Sequence, residues 1–155
     1  MLAKSNRKIV TDNRKARFNY HIEDKFEAGM VLQGTEVKAL RMGRAHLKDA
    51  YARIQNGEIF VHQMHIGPYP FAYYENHDPL RTRKLLMHHY EIKQLTGKVQ
   101  EKGYSLIPLN IYFRDGKAKM TLALAKGKRL PDKRHAIRER DEKRDMDRMR
   151  KDGVL

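Results

Sequence analysis

Phe26-Glu27-Ala28-Gly29-Met30-Val31-Leu32-Gln33-Gly34-Thr35-Glu36-Val37-Lys38-Ala39-Leu40-Arg41 holds a strand, a corner and a short helix in one stretch. Met30 to Leu32 is an apolar run of strand type between two glycines, which tolerate positive φ and close backbone approach, so each marks a turn or bulge. Thr35 then stands where an N-cap belongs, and Glu36 falls in the first turn, where the helix dipole favours an anion. Val37 and Leu40 share one helical face, Lys38 and Arg41 another. Gly43 sits where a helix ends. Two readings fit this stretch alone: a core strand with a capping helix, or a binding surface carrying Lys38 and Arg41.

Upstream, residues 1–17 are polar and basic, with Ile9-Val10 the only apolar pair, and read as a flexible arm or a solvated terminus. Phe18, Tyr20 and Ile22 alternate with polar residues and predict a half-buried strand. Downstream, Asn56-Gly57 lies between Ala50–Ile54 and Glu58–Met64, and Asp115-Gly116 between Tyr104–Phe113 and Lys117–Ala125. Both dipeptides suit two-residue turns that need positive φ, so each pair of runs predicts a hairpin. Ile107, Leu109, Ile111 and Phe113 predict one apolar face, with Met120, Leu122 and Leu124 on the return strand.

Gly67 to Tyr74 is a loop rich in rings. Rings in a loop pack onto the body more often than they stay free to stack on bases. Asp78-Pro79 is a helix opening, an acceptor at N-cap and proline at N1, and Leu85, Leu86, Ile92, Leu95 and Val99 predict the helical face that follows, with a break at Gly97. Arg81, Arg83 and Lys84 would then crowd a helix N-terminus, at a cost of ~0.3–1 kcal/mol each that an external anion would relieve.

The fold class expected is mainly β with flanking helices: about six short antiparallel strands and two to three helices, which favour a small closed barrel over a sandwich or an open sheet. It spans residues 18–125. Residues 126–155 change character, with twelve Lys and Arg against seven Asp and Glu and few apolar side chains. Such a tail is expected to be disordered when free. Its composition nonetheless favours helix, and Arg140, Arg144 and Arg148 recur every fourth residue. That ridge is self-repulsive in isolation, partly offset by Glu139–Lys143 and Asp147–Lys151, and becomes favourable along phosphates. A plain solvated face is the other reading.

With a net charge of +14 in 155 residues and 40% hydrophobic content, the chain is one domain attracted to polyanions. No apolar run approaches the ~20 residues that span a bilayer, and the first residues lack a secretory apolar stretch. Absence of cysteine removes thiol chemistry and fits a reducing cytoplasm. Neither His62 with His65 nor His88 with His89 has metal-ligand spacing, and no nucleophile or phosphate-loop motif occurs. Glu27, Glu36, Asp49 and Glu58 are scattered. No metal, no cofactor and no enzyme is the expectation.

The blocks F-E-A-G-M-V-L-Q-G-T-E-V-K-A-L-R, H-L-K-D-A-Y, N-H-D-P-x-R-T-R-K-L-L, G-Y-S-L-I-P-L-N-I-Y-F and A-K-G-K-R-x-x-D-K-R, in order along nearly the whole chain, resemble the SsrA-binding protein (small protein B) family. The resemblance implies an oligonucleotide-binding-type β-barrel that binds the tRNA-like part of transfer-messenger RNA. It implies trans-translation, the rescue of ribosomes stalled on messages without a stop codon. The body would stand in for the missing anticodon stem, and the tail would enter the empty mRNA channel of the small subunit near the decoding centre as a helix, with elongation factor Tu accompanying the charged RNA. Matched by motif, Glu27 and Gly29 lie in the family's RNA-contacting block, with Glu27 accepting from a base amino group or a 2′-OH, or else held in a salt bridge. Leu86 and His88 fall in the second RNA-facing stretch; members often carry asparagine at the place of His88. Arg81, Arg83 and Lys84 would meet phosphate. Lys126, Lys128 and Arg129 lead into the tail, Asp132, Lys133 and Arg134 form the hinge, and His135 and Ile137 would stack or pack on decoding-centre bases. The competing reading is a basic ribosomal or assembly protein bound permanently to ribosomal RNA.

Overall fold

The computed structural model describes residues 7–101, 103–128, 130–151 and 153, with 130–132 described by their backbone alone. Ordered structure begins earlier than the sequence suggests. Where a flexible arm is expected, β1 (Arg7–Asp12) forms a strand, and where Phe18 was expected to begin one, α1 (Arg14–Asn19) forms a helix. The reason is Asn13. Its Oδ1 accepts from the Ala16 N–H at 3.2 Å as an N-cap, its Nδ2 donates to the Pro108 carbonyl at 2.9 Å, and its own N–H donates to the Leu109 carbonyl at 2.7 Å.

The strand β2 (Tyr20–Met30) follows, then α2 (Gly34–Arg41), the short β3 (Ala45–His46), and the hairpin of β4 (Tyr51–Gln55) and β5 (Glu58–His62). The short β6 (His65–Ile66) pairs with β3, and after a long loop come β7 (Arg83–Leu86), α3 (His89–Val99), the long hairpin of β8 (Tyr104–Arg114) and β9 (Lys117–Gly127), and α4 (Leu130–Lys151). Both hairpins turn as expected, with φ of 52° and 76° at Asn56-Gly57 and 51° and 77° at Asp115-Gly116, the left-handed pair that matches strand twist.

The six strands β8-β4-β5-β7-β2-β9 hydrogen-bond in that order, and β9 returns to β8, closing an antiparallel barrel. β1 lines the remaining edge of β8, Arg7 opposite Arg114 through Asp12 opposite Asn110. The barrel is filled by Ile59, Val61, Leu85, Leu106, Ile111, Met120 and Leu122, and α2 and α3 close over it with Ala39, Leu40, Ile92 and Leu95.

One apolar face predicted from alternation is split. Ile111 enters the barrel and Phe113 packs against its core, whereas Ile107 and Leu109 join Ala16, Ala123 and Ala125 in a second cluster beneath α1. A register shift between Pro108 and Asn110 inserts a residue and reverses the pleat there. Pro108, which has no N–H to give, sits at that bulge.

Four further expectations are corrected. Asp78-Pro79 opens a turn, not a helix: Asp78 accepts from the Leu80 N–H through its side chain at 3.0 Å and from the Arg81 N–H through its carbonyl at 3.1 Å, and the chain then enters β7. The helix α3 begins only at His89 and passes through Gly97 without a break. Gln33, not Thr35, is the N-cap of α2, and Glu36 reaches back to accept its N–H at 2.8 Å. Gly29 and Gly34 mark no positive-φ corner, since Gly29 lies in the β2 ladder and Gly34 opens α2; Gly43, at φ 74°, ends that helix. The tail's described residues form α4, which meets the body beside α1 and leaves Arg140, Arg144 and Arg148 exposed.

Candidate nucleic-acid interface

Antiparallel pairing places Gly29 of β2 between Leu86 of β7 and Lys119 of β9. A Cβ on Gly29 would lie 3.4 Å from the Leu86 Cβ and 3.7 Å from the Lys119 Nζ. The missing side chain thus leaves a shallow saddle, flanked by an apolar side chain that is 53% exposed and by an ammonium group. Two residues back along the same face is Glu27, opposite Thr121.

Glu27 is held by the protein. The Tyr112 hydroxyl donates to its Oε2, and Arg114 Nη2 lies 2.7 Å from its Oε1. Arg7 closes the group from β1, its guanidinium carbon 3.9 Å from the centre of the Tyr112 ring and its Nη2 donating to Thr121 Oγ1 at 3.3 Å. Burial, reinforced by the hydrogen bond to Glu27, pushes the Tyr112 phenol up to about 12, so it remains a donor through neutral pH. Each Glu27 oxygen keeps lone-pair capacity for one more donor from outside. Arg7, Tyr112, Arg114 and Lys119 escape a reading of the sequence because they meet Glu27 and Gly29 through strand register and not through spacing.

His88 is the N-cap of α3, its ring stacked on Tyr90 at 5.4 Å between centroids, with the Glu91 carboxylate accepting the His88 N–H at 3.3 Å. Lys84 pairs with Glu58 at 3.1 Å. Lys38 lies 5.5 Å from the Tyr69 ring centre and Arg41 lies 6.0 Å from that of Phe113. Lys126 lies over Tyr104 at 5.7 Å, and Lys128 is tied by its N–H to the Asn19 carbonyl at 2.8 Å. Arg129 and the side chain of Asp132 lie outside the described residues. On α4, His135 pairs with Glu139 at 2.9 Å, Ile137 is 38% exposed, and Lys133 and Arg134 stand in its first turns.

Arg83 is the site residue the structure removes. Its side chain is wholly buried, as is that of Glu36. Its Nε donates to Glu36 Oε2 and its Nη1 to the Met64 carbonyl at 2.6 Å, while Nη2 faces the Pro79 carbonyl at 3.2 Å. Arg81 adds a bond from Nη2 to Glu36 Oε1 at 2.6 Å and remains partly exposed. Burial alone would raise the Glu36 carboxyl, but the donors Arg81, Gln33 N–H and Arg83, with the Arg83 charge, hold it below its ordinary value. Beside it the His77 ring bridges Thr35 Oγ1 and the Ile66 carbonyl, each at 2.9 Å. The carbonyl can only accept, so Nε2 carries a proton towards it. The Arg-Thr-Arg-Lys run is therefore divided: Arg83 is an internal strut, while Arg81 and Lys84 edge the surface.

A basic antiparallel barrel, with one saddle-shaped face built around a positioned carboxylate and a cationic C-terminal helix beside α1, is the class the fold defines. Residues 10–152 match the family model described as SmpB protein. The chain is 57% identical over 144 residues to an SsrA-binding protein of Syntrophobacter fumaroxidans, covering 93% of this chain and 89% of that one. It is 56% identical over 139 residues to the one of Geobacter metallireducens (90% and 91% covered) and 52% identical over 151 residues to that of Bacillus cytotoxicus (97% of each). A solved structure described as "tmRNA-SmpB: a journey to the center of the bacterial ribosome" superimposes with a TM-score of 0.67 at 46% identity, over 83% of this chain and 94% of that chain. The chain belongs to the SmpB protein family.

Proposed function

We propose that this protein is a non-enzymatic RNA-binding adaptor of trans-translation, acting in the cytoplasm, that grips the tRNA-like part of transfer-messenger RNA and brings it to stalled ribosomes. The observation that carries the reading is the Glu27–Gly29–Leu86 face, assembled on two adjacent strands of a barrel in a chain that matches SsrA-binding proteins over nearly its whole length. A carboxylate at an RNA surface is useful only if aimed, and Tyr112 with Arg114 aim this one. Leu86 offers an apolar contact beside it, and Lys119, Arg81 and Lys84 supply cations around the rim for phosphate.

The division of labour extends to α4. Its exposed arginines would lie along ribosomal RNA in the mRNA channel, with His135 and Ile137 nearest the decoding centre and the Asp132-Lys133-Arg134 hinge setting its angle. A helix with so little body contact draws most of its order from whatever it lies against. Elongation factor Tu would accompany the charged RNA.

Truncation after Lys133 tests this. Affinity for the tRNA-like fragment in gel shift should stay within about threefold, since the body face is untouched and only distant phosphate attraction is lost, while peptide tagging on stalled ribosomes should disappear. Loss of both activities would contradict the separation. Preference for the tRNA-like fragment over a ribosomal RNA fragment of equal charge separates this reading from a permanently bound ribosomal protein.

A further inference from the structure

Between β6 and β7 runs a loop whose two ends are pinned and whose tip is bare. The Ile66 N–H donates to the Pro79 carbonyl at 3.0 Å, and the Gly67 N–H to the Arg44 carbonyl at 2.7 Å. Higher up, Asn76 ties the loop across: its Oδ1 accepts from the Tyr69 N–H at 3.1 Å and its Nδ2 donates to the Tyr69 carbonyl at 2.8 Å. The Ala72 N–H returns to the same carbonyl at 3.2 Å. A loop so cross-tied has the means to fold its rings onto the body, as the sequence suggests. It does the opposite, leaving Phe71 73%, Tyr73 89% and Tyr74 88% exposed.

Three neighbouring bare rings are unfavourable in water and call for a partner with flat apolar faces or an apolar phase. The rings pair edge to face, Tyr69 with Phe71 at 5.7 Å and Tyr73 with Tyr74 at 5.0 Å, an arrangement that keeps them apart and leaves them unstacked on one another. At the foot of the loop Lys38 stands over Tyr69 and the Arg44 carbonyl accepts the Gly67 N–H, while the loop itself carries the acidic Glu75 and Asp78. Rings above a cation match a strand of bases on a phosphate backbone. We infer that this loop is a second RNA site, a stacking platform for unpaired bases, separate from the Glu27–Leu86 face. Paired bases hide their faces inside a helix, whereas unpaired ones offer them without regard to identity, so the platform takes single-stranded or looped-out RNA with little sequence preference. The inference rests on the reading of the chain as an RNA-binding protein.

The full-length protein would be titrated with a short single-stranded oligoribonucleotide carrying a central 2-aminopurine, and with the same oligonucleotide made abasic at its central positions. The intact strand should bind at least about fivefold tighter, and its fluorescence should change as the base stacks. The triple variant Phe71→Ser, Tyr73→Ser, Tyr74→Ser should bind both strands as the wild type binds the abasic one. Its melting temperature and the salt dependence of its residual binding should be unchanged, because no core contact and no charge is removed. Equal binding of the two strands by the wild type, or a preference surviving in the variant, would overturn the inference. So would ring-dependent binding to anionic phospholipid vesicles without any preference for the intact strand, which would assign the loop to lipid. The tRNA-like fragment run alongside tests the proposed function, and the abasic comparison tests the loop, so either can fail alone.

Discussion

Replacing Arg83 by methionine tests how the interior of this protein is held. The substitution keeps the length of the side chain and removes its charge. Glu36 is then left wholly buried with only Arg81 and the Gln33 N–H as donors, and the Met64 and Pro79 carbonyls each lose a partner. Breaking a buried pair from one side costs about 3–5 kcal/mol, because the surviving charge stays desolvated. In a domain of this size each kcal/mol moves the melting temperature by roughly 2–4 °C, which predicts a fall on the order of 10 °C. The chain has no tryptophan, so far-ultraviolet circular dichroism in a urea series is the natural assay. The double variant Arg83→Met, Glu36→Leu should recover part of the loss, since a dry apolar pair of similar volume replaces the half-broken one. RNA binding by the folded fraction supplies the second readout: a phosphate contact at Arg83 would lower the slope of log K against log salt, whereas a buried strut leaves it unchanged. A stability loss under about 1 kcal/mol together with a reduced salt slope would place Arg83 on the surface and refute the reasoning.

Tyr112→Phe should weaken binding of the tRNA-like fragment about fivefold, the worth of one hydrogen bond that orients Glu27, without displacing the ring from beneath Arg7; competition gel shifts would measure it. Gly29→Val fills the saddle between Leu86 and Lys119 and should cost about tenfold in Kd, or about 1.4 kcal/mol, while a thermal melt shows a smaller change in stability. The Glu36 carboxyl is held below its ordinary 4.5 in the folded state. Its stabilisation is therefore complete above that value and disappears as pH falls through the lower folded one; acid titration of Glu36→Gln should show a flatter decline than the wild type.

The barrel was legible because two hairpins announce themselves through Asn-Gly and Asp-Gly between alternating runs, and alternation survives in any strand with one wet face. Arg83–Leu86 was not. In that strand an arginine and a leucine point in while a lysine and a leucine point out, so the inward set is no more apolar than the outward one and the period of two carries no signal. What decides the matter is Glu36, 47 residues upstream, whose carboxylate makes an interior arginine affordable. Asn13 could have been found, as an N-cap type directly before a helix-forming run, and missing it put a strand where α1 lies. Of the face proposed for RNA, motif resemblance singled out Glu27, Gly29 and Leu86. Their supports Tyr112, Arg114 and Lys119 depended on which strands of the barrel became neighbours.

The N-terminal strand has a consequence for how this molecule avoids itself. β1 covers the stretch of β8 from Asn110 to Arg114 that β4 does not reach, since β4 meets β8 only at Ala52 and Leu106. Strip that cover away and a row of unmated amides and carbonyls lies open on the longest hairpin in the barrel, beside the pocket of charges that positions Glu27. A second molecule trimmed in the same way presents the same ledge, and antiparallel ledges zip together. Residues 7–12 thus act as a guard rail, keeping two barrels from fusing along the border of the face proposed for RNA.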